Sequence, residues 1–202
     1  MNSSDLKCTE GIILHMIPYQ NYDQILTVFT PEEGVLKFFC KKAKTKSQRF
    51  SPLTKVEVIY KEKNSELYAC EEITPLQTYH NLRTNFSHLQ VGCELVRAIH
   101  TSQFVGKAAP LLYQLLMYYL EKIPLVKDPY TLSAGFKLKI LKHEGVLNDD
   151  PQSYHLKLFS MDELALLDIL THGQSYQQLS QLSIPVGFND KIEKIFQSMI
   201  RN

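Results

Sequence analysis

Apolar positions in this chain first alternate with polar ones and then, after Thr74-Pro75, recur every three or four residues. Alternation puts successive side chains on opposite faces of a strand, and the longer period makes a stripe along a helix. In the first regime Glu10–Ile17 is an isoleucine-rich run closed by the turn cluster Pro18-Tyr19-Gln20-Asn21. Gln24–Phe29 follows, and Thr30-Pro31-Glu32-Glu33-Gly34 has the chemistry of a hairpin turn into Val35–Cys40. Alternation in that third strand gives Leu36, Phe38 and Cys40 a core face and leaves Val35, Lys37 and Phe39 on the other. Thr54–Glu62 sets Val56, Val58 and Tyr60 against Lys55, Glu57 and Lys61, and Lys63-Asn64-Ser65 connects it to Glu66–Glu71. Five short strands predict a small closed or nearly closed barrel, and both an OB-fold and an SH3-like barrel fit that count.

The second regime predicts helices. Phe86, Leu89, Cys93, Val96 and His100 form one amphipathic stripe, and Leu111, Leu112, Leu115, Leu116 and Tyr119 a second that stops at Ile123-Pro124. Asp128-Pro129 opens a third helix in the favoured cap-then-proline order, with Leu132, Phe136, Ile140 and Leu141 inward and Gly145 as its stop. Ser160 with Glu163 is a capping box before a further helix, Ser175–Leu182 is a weaker helical piece, and Asn189–Ile200 closes the series with Ile192, Ile195, Phe196 and Met199 inward. Strands followed by helices predict an α+β chain with an N-terminal barrel over residues 1–80 and an all-helical domain over 81–202.

Composition narrows the class without naming a chemistry. A chain of 202 residues, 44% hydrophobic and 21% charged, has the balance of an ordinary globular protein. No apolar run reaches the roughly 18–20 residues that span a bilayer, and MNSSDLKCTEG carries no signal core, so a cytoplasmic protein without membrane contact is expected. Cys8, Cys40, Cys70 and Cys93 are scattered and make no CxxC pair, which predicts neither a sulfur zinc site nor a disulfide framework. The seven histidines make no metal-ligand spacing, and Cys40 and Cys93 read as small core residues. No GxSxG, HExxH or P-loop is present, and the pairs Glu32-Glu33, Glu71-Glu72 and Asp149-Asp150 are sequence neighbours in turns. The expectation is a protein with no catalytic residues, metal or cofactor. The tyrosines at 113, 118 and 119 read as helix core with their hydroxyls at its edge.

Charge is where the pattern becomes specific. Val35–Phe50, VLKFFCKKAKTKSQRF, holds six cations (Lys37, Lys41, Lys42, Lys44, Lys46 and Arg49) and no acid. The whole chain has a formal net charge of +1, so the remainder is net acidic and the positive field is concentrated in one stretch leaving a strand. Such cations neutralise phosphates and release counterions, while the flanking Phe39 and Phe50 are candidates for base stacking. Lysine is a point charge without arginine's planar fork, so a grip independent of base sequence is expected. The plainer reading of such a run is a solvated surface that keeps an edge strand soluble.

The order of motifs resembles the bacterial recombination mediator family RecO. Gly11-Ile12-Ile13-Leu14, Pro18-Tyr19, Asp23 to Thr30 (DQILTVFT), Gly34-Val35-Leu36 and the basic stretch ending at Arg49-Phe50 follow that family's "GIVL", "PY…D" and "LTLFT…GxL" series. Phe136-Lys137-Leu138-Lys139-Ile140-Leu141, closed by Gly145, is similar to its "FELxLLxxxGY" helix, so the likeness runs through most of the chain. It implies an N-terminal OB-fold and a helical C-terminal domain in a DNA repair protein that is not an enzyme. It further implies binding of single- and double-stranded DNA, annealing of complementary strands, recognition of the acidic tail of single-stranded-DNA-binding protein, and work with RecR to load RecA. The DNA-binding role carries over to Lys37, Lys41, Lys42, Lys44, Lys46 and Arg49, which Phe39 joins as the candidate stacking ring, and the expected location is the cytoplasm, at the nucleoid.

Two departures from the family pattern matter. Val146 to Tyr154 lacks the four-cysteine zinc module that many members carry after the "GY" helix. The arginine expected just before the "FELxLL" helix is replaced by Ala134-Gly135, which leaves Lys137, Lys139 and Lys142 as candidate contacts for an acidic tail. The alternative reading is an adaptor that binds an acidic protein tail through the same basic surface, since carboxylate and phosphate are both anions. An RNA-binding OB protein of translation is disfavoured because it gives the helical half no role.

Overall fold

The computed structural model describes residues 6–41, 50–62, 65–147, 156–173 and 176–200. Five strands, β1 (Leu6–Pro18), β2 (Gln24–Thr30), β3 (Gly34–Cys40), β4 (Lys55–Lys61) and β5 (Leu67–Gln77), close into a barrel in the order β1-β2-β3-β5-β4. All neighbours are antiparallel except β3 and β5, which run parallel, and β4 closes the barrel on β1. This five-stranded closed barrel is an OB-fold. Alternation fills its centre. Ile13, Leu26, Val28, Leu36, Phe38, Cys40, Val56, Val58 and Tyr60 are buried together. Phe38 and Tyr60 meet at 5.1 Å and Tyr68 packs on both, while the Tyr60 hydroxyl donates to Glu33 Oε1 at 2.8 Å.

β5 runs past its sequence signal to Gln77, carrying Pro75 opposite Val56 beside a register irregularity. A proline is tolerated there because a bulge does not need its missing N–H. Gly34 closes the β2–β3 turn at φ +68°, and a Cβ on it would lie 2.1 Å from the Lys107 carbonyl oxygen. Only glycine fits that close backbone approach.

Helices follow: α1 (His80–Arg83), α2 (Phe86–Ser102), α3 (Pro110–Lys122), α4 (Pro129–His143), α5 (Met161–His172), α6 (Tyr176–Gln181) and α7 (Phe188–Ile200). The chain forms two compact units, Met1–His80 with Val96–Met117 and Asn81–Leu95 with Tyr118–Asn202. In the first, Val105 bridges to Gly34 and Val35, and Tyr113 packs on Phe29 at 5.8 Å. The second is built on α4, whose Thr131 to Leu138 are all buried, with Ile140 and Leu141. Asp128 caps it by accepting from the Tyr130 N–H at 3.1 Å, and Ser160 and Glu163 form the capping box of α5.

The stripe expected on α2 is corrected. Of that stripe Val96 is buried as expected, but Phe86 is 80% exposed and Cys93 and His100 are exposed too, whereas Val91, Leu95, Ala98, Ile99 and Ser102 are buried. Both sets have helical spacing, and the inward one is made of small and branched residues that let the helix pack closely. Cys93 is therefore not a core residue, while Cys40 is. Tyr113 and Tyr119 are buried and Tyr118 is 43% exposed.

Candidate nucleic-acid interface

The alternate side chains that do not enter the barrel centre point to its outer wall, and on β1, β2 and β3 the register stacks them in rows. Ile17 pairs with Ile25 and Ile25 with Phe39, and one row along His15 pairs with Thr27 and Thr27 with Lys37. Ile17 is 47% exposed and Phe39 half-buried, so this row is an apolar strip with a ring at its β3 end. Tyr19, just beyond β1, sets its ring against Phe39 at 5.7 Å and 82°, edge to face. The connection from β1 to β2 is a single helical turn, Gln20–Tyr22, held by a Tyr19 N–H to Asp23 carbonyl bond of 2.8 Å. It ends on Tyr22 at φ +69° and leaves Tyr19 54% and Tyr22 61% exposed. Large rings open to water on a barrel's strand face are what a single strand stacks its bases upon.

The basic stretch is rooted at the same end. Pro18 pairs with Gln24 and Gln24 with Cys40, which is the last residue of β3, so Lys41 leaves beside the Tyr19–Tyr22 turn. The Phe50 N–H donates to the side-chain oxygen of buried Gln24 at 3.4 Å, pinning the returning chain at the same point. One buried glutamine thus gathers both ends of the segment. Lys37 is half-buried on the outer wall and Lys41 is exposed. Lys42, Lys44, Lys46 and Arg49 lie outside the described residues. Phe50 packs against the barrel core and so is not an open stacking ring. Sequence reading gave Tyr19 and Tyr22 no role because they sit in a turn and Gln24 none because it only opens a strand, and the register shows what they join.

The α4 lysines are placed differently. Lys137 is 2% exposed, with its ammonium 2.7 Å from Glu193 and 3.4 Å from Glu94. Lys139 donates to the Thr171 and Gly173 carbonyl oxygens at 3.3 and 3.2 Å, satisfying the end of α5. Burial, with help from Lys142, holds its pKa below the usual lysine value. Lys142 is exposed near the C-terminus of α4. Among the described residues no three His, Cys, Asp or Glu side chains come together as metal ligands, and no helix is long and apolar enough to cross a membrane.

The closed five-stranded OB barrel, with the rings of Tyr19 and Phe39 at one end of its strand face and helices after it, is a fold class that hosts oligonucleotide- and oligosaccharide-binding proteins among others. Residues 4–79 match the family described as recombination protein O N terminal. Over 95% of its length the chain is 22% identical to the DNA repair protein RecO of Chlamydia pneumoniae, covering 88% of that protein. It is 24% identical to the RecO of Chlamydia muridarum, over 94% of each chain, and 28% identical to that of Geobacter metallireducens, over 63% of this chain and 55% of the other. Residues 4–79 thus belong to the RecO N-terminal family, and along nearly its whole length the chain is similar to DNA repair proteins named RecO.

Proposed function

We propose that this chain is a non-catalytic recombination mediator that binds single- and double-stranded DNA on the outer wall of β1–β3 and on the basic stretch rooted there. It speeds annealing of complementary strands and works in the cytoplasm, at the nucleoid, with RecR to load RecA onto single-stranded DNA. The observation that carries the reading is the Tyr19–Phe39 ring pair at the end of the barrel where the basic stretch leaves and returns. Rings stack bases of any identity and lysines neutralise phosphates of any sequence, and that combination suits a protein that must act along arbitrary strands. The match of residues 4–79 to the RecO N-terminal family supports the same role.

The test is fluorescence anisotropy with single-stranded and duplex oligonucleotides over a salt series. Replacing Lys41, Lys42, Lys44 and Lys46 together with Ala weakens binding and flattens the single-strand slope of log affinity against log salt by about 2–3, at roughly 0.7 per phosphate contact. Unchanged affinity removes the basic stretch from the mechanism. Annealing is read separately by mixing labelled complementary strands, and a rate equal to the protein-free one refutes that part. Recognition of the acidic tail of single-stranded-DNA-binding protein is assigned to Lys142, which is exposed while Lys137 and Lys139 spend their ammonium groups inside the protein. A tail peptide that binds a chain unable to bind DNA favours the adaptor reading.

A further inference from the structure

His15 and His100 are 85 residues apart in sequence, yet their rings stack at 5.3 Å with only 14° between planes. His15 lies on β1 and His100 in the last turn of α2, within the same compact unit, and both side chains are exposed. Lys37 stands on the same outer wall, one strand beyond Thr27, so roughly 10 Å separates its backbone from that of His15. The other histidine–acid contacts set this pair apart. His143 lies 3.2 Å from Glu144 and His172 3.0 Å from Asp168. Among the described residues neither His15 nor His100 has a carboxylate partner. The charged group that acts on the pair is Lys37 from β3; Arg97 stands one turn back on α2, and β2 contributes uncharged Thr27. Imidazoles stacked beside an ammonium without an acid form a cluster short of negative charge.

We propose that His15, His100 and Lys37 form a second phosphate site, which takes a backbone phosphate of DNA lying on the β1–β3 wall and takes up a proton as it does so. This rests on the DNA-binding reading given above and adds a regulation to it. Burial, then His15, then Lys37 hold the His100 pKa below the usual histidine value, so the empty site favours a neutral ring. A phosphate monoanion removes that disadvantage, because an imidazolium donates a charge-assisted hydrogen bond to it. The imidazole pKa therefore rises on binding, protons are taken up, and affinity increases as pH falls through the histidine range. It is lost again as pH rises past the bound-state pKa. The backbone phosphates themselves stay ionised throughout, so the dependence belongs to the protein.

The experiment is anisotropy with a single-stranded thymidine oligonucleotide at pH 6 and pH 8, at one ionic strength. A rise of one pKa unit in one ring makes binding up to about tenfold tighter at the lower pH. The double variant His15→Gln with His100→Gln brings the ratio between the two pH values below about twofold by the same relation. The control His143→Gln with His172→Gln keeps it. Lys41→Ala weakens binding at both pH values and also keeps it. If the double variant fails to fold, the imidazole proton resonances of the wild-type chain are titrated with and without the oligonucleotide, and the His100 pKa is expected to rise; an unchanged value overturns the site. Wild-type affinity that does not change between the two pH values, or a double variant that keeps the ratio, overturns the site while leaving DNA binding standing. Absence of binding at either pH overturns the DNA reading and this site together.

Discussion

Replacing Phe39 with Ala separates the two forces assigned to the interface. The ring is half-buried on β3, beside Ile25 and edge-on to Tyr19, and carries no charge. Aromatic–base stacking contributes about 1–3 kcal/mol per base. Removing it therefore weakens single-strand affinity by roughly 5- to 150-fold, at 1.4 kcal/mol per decade. The number of neutralised phosphates is untouched, so the salt slope stays as in the parent chain. Lys37→Ala behaves in the opposite way, lowering the slope by about 0.7 with little loss of non-electrostatic affinity. Phe39→Tyr keeps the ring and retains most of the binding. The substitution to Ala also gives up the contact with Tyr19, worth about 0.5–1.5 kcal/mol of folding stability, so affinities are compared where melting curves show each variant folded. Anisotropy over a salt series, extrapolated to high salt, is the assay. A Phe39→Ala affinity within twofold of the parent refutes stacking at this wall, and a changed slope refutes the division of labour between ring and cation.

Three further outcomes are expected. Lys137→Met leaves Glu94 and Glu193, with side chains 14% and 29% exposed, facing each other without their cation. It lowers the unfolding free energy in urea by about 3 kcal/mol, and a loss below about 1 kcal/mol refutes the structural role. The Glu163 carboxyl is held below the usual carboxylate range, first by the Lys191 hydrogen bond and then by the Ser160 N–H. Its stabilisation is therefore present above the unfolded-state pKa and lost as pH falls through the lower folded value. Glu163→Gln melts below the parent at neutral pH and level with it in strong acid, and a gap that persists in acid contradicts this. Finally, Cys40 and Cys70 are register partners whose interaction pushes their pKa values apart, down for Cys70 and, with burial, up for Cys40, and Cys40 is the more deeply buried of the two. Iodoacetamide followed by peptide mass spectrometry labels Cys70 before Cys40, and the reverse order refutes the assignment.

The barrel was legible because its signals are local. Alternation along β3 put Leu36, Phe38 and Cys40 inside, and the turn chemistry of Pro31 to Gly34 gave the hairpin its place. Strand count alone left OB-fold and SH3-like barrels open. What separates them is the order β1-β2-β3-β5-β4, with β3 parallel to β5, and pairings across thirty residues leave no mark in periodicity. The helices show the complementary limit. α4 is buried nearly all round, so its chosen stripe was correct but not distinctive, whereas α2 offered two stripes and burial favoured the one with smaller side chains.

The interface was legible as charge and not as shape. Six cations between Lys37 and Arg49 mark a field that any reading of composition finds. Charge, however, does not say which surface a strand would lie on, because a run of lysines is the same string whether it hangs from an edge or from a ring-lined wall. That distinction rests on Gln24, whose backbone pairs with Cys40 and whose side chain accepts from Phe50, and on a turn that leaves Tyr19 and Tyr22 beside the exit. The same logic covers His15 and His100. Each alone is an ordinary exposed histidine, and they become a candidate phosphate grip only because the fold brings α2 back onto β1. The α4 lysines run the argument in reverse: three similar cations in sequence have three different fates, and carboxylates or carbonyls already occupy Lys137 and Lys139. Cations remain candidate binding residues here where the fold supplies them with no internal anion.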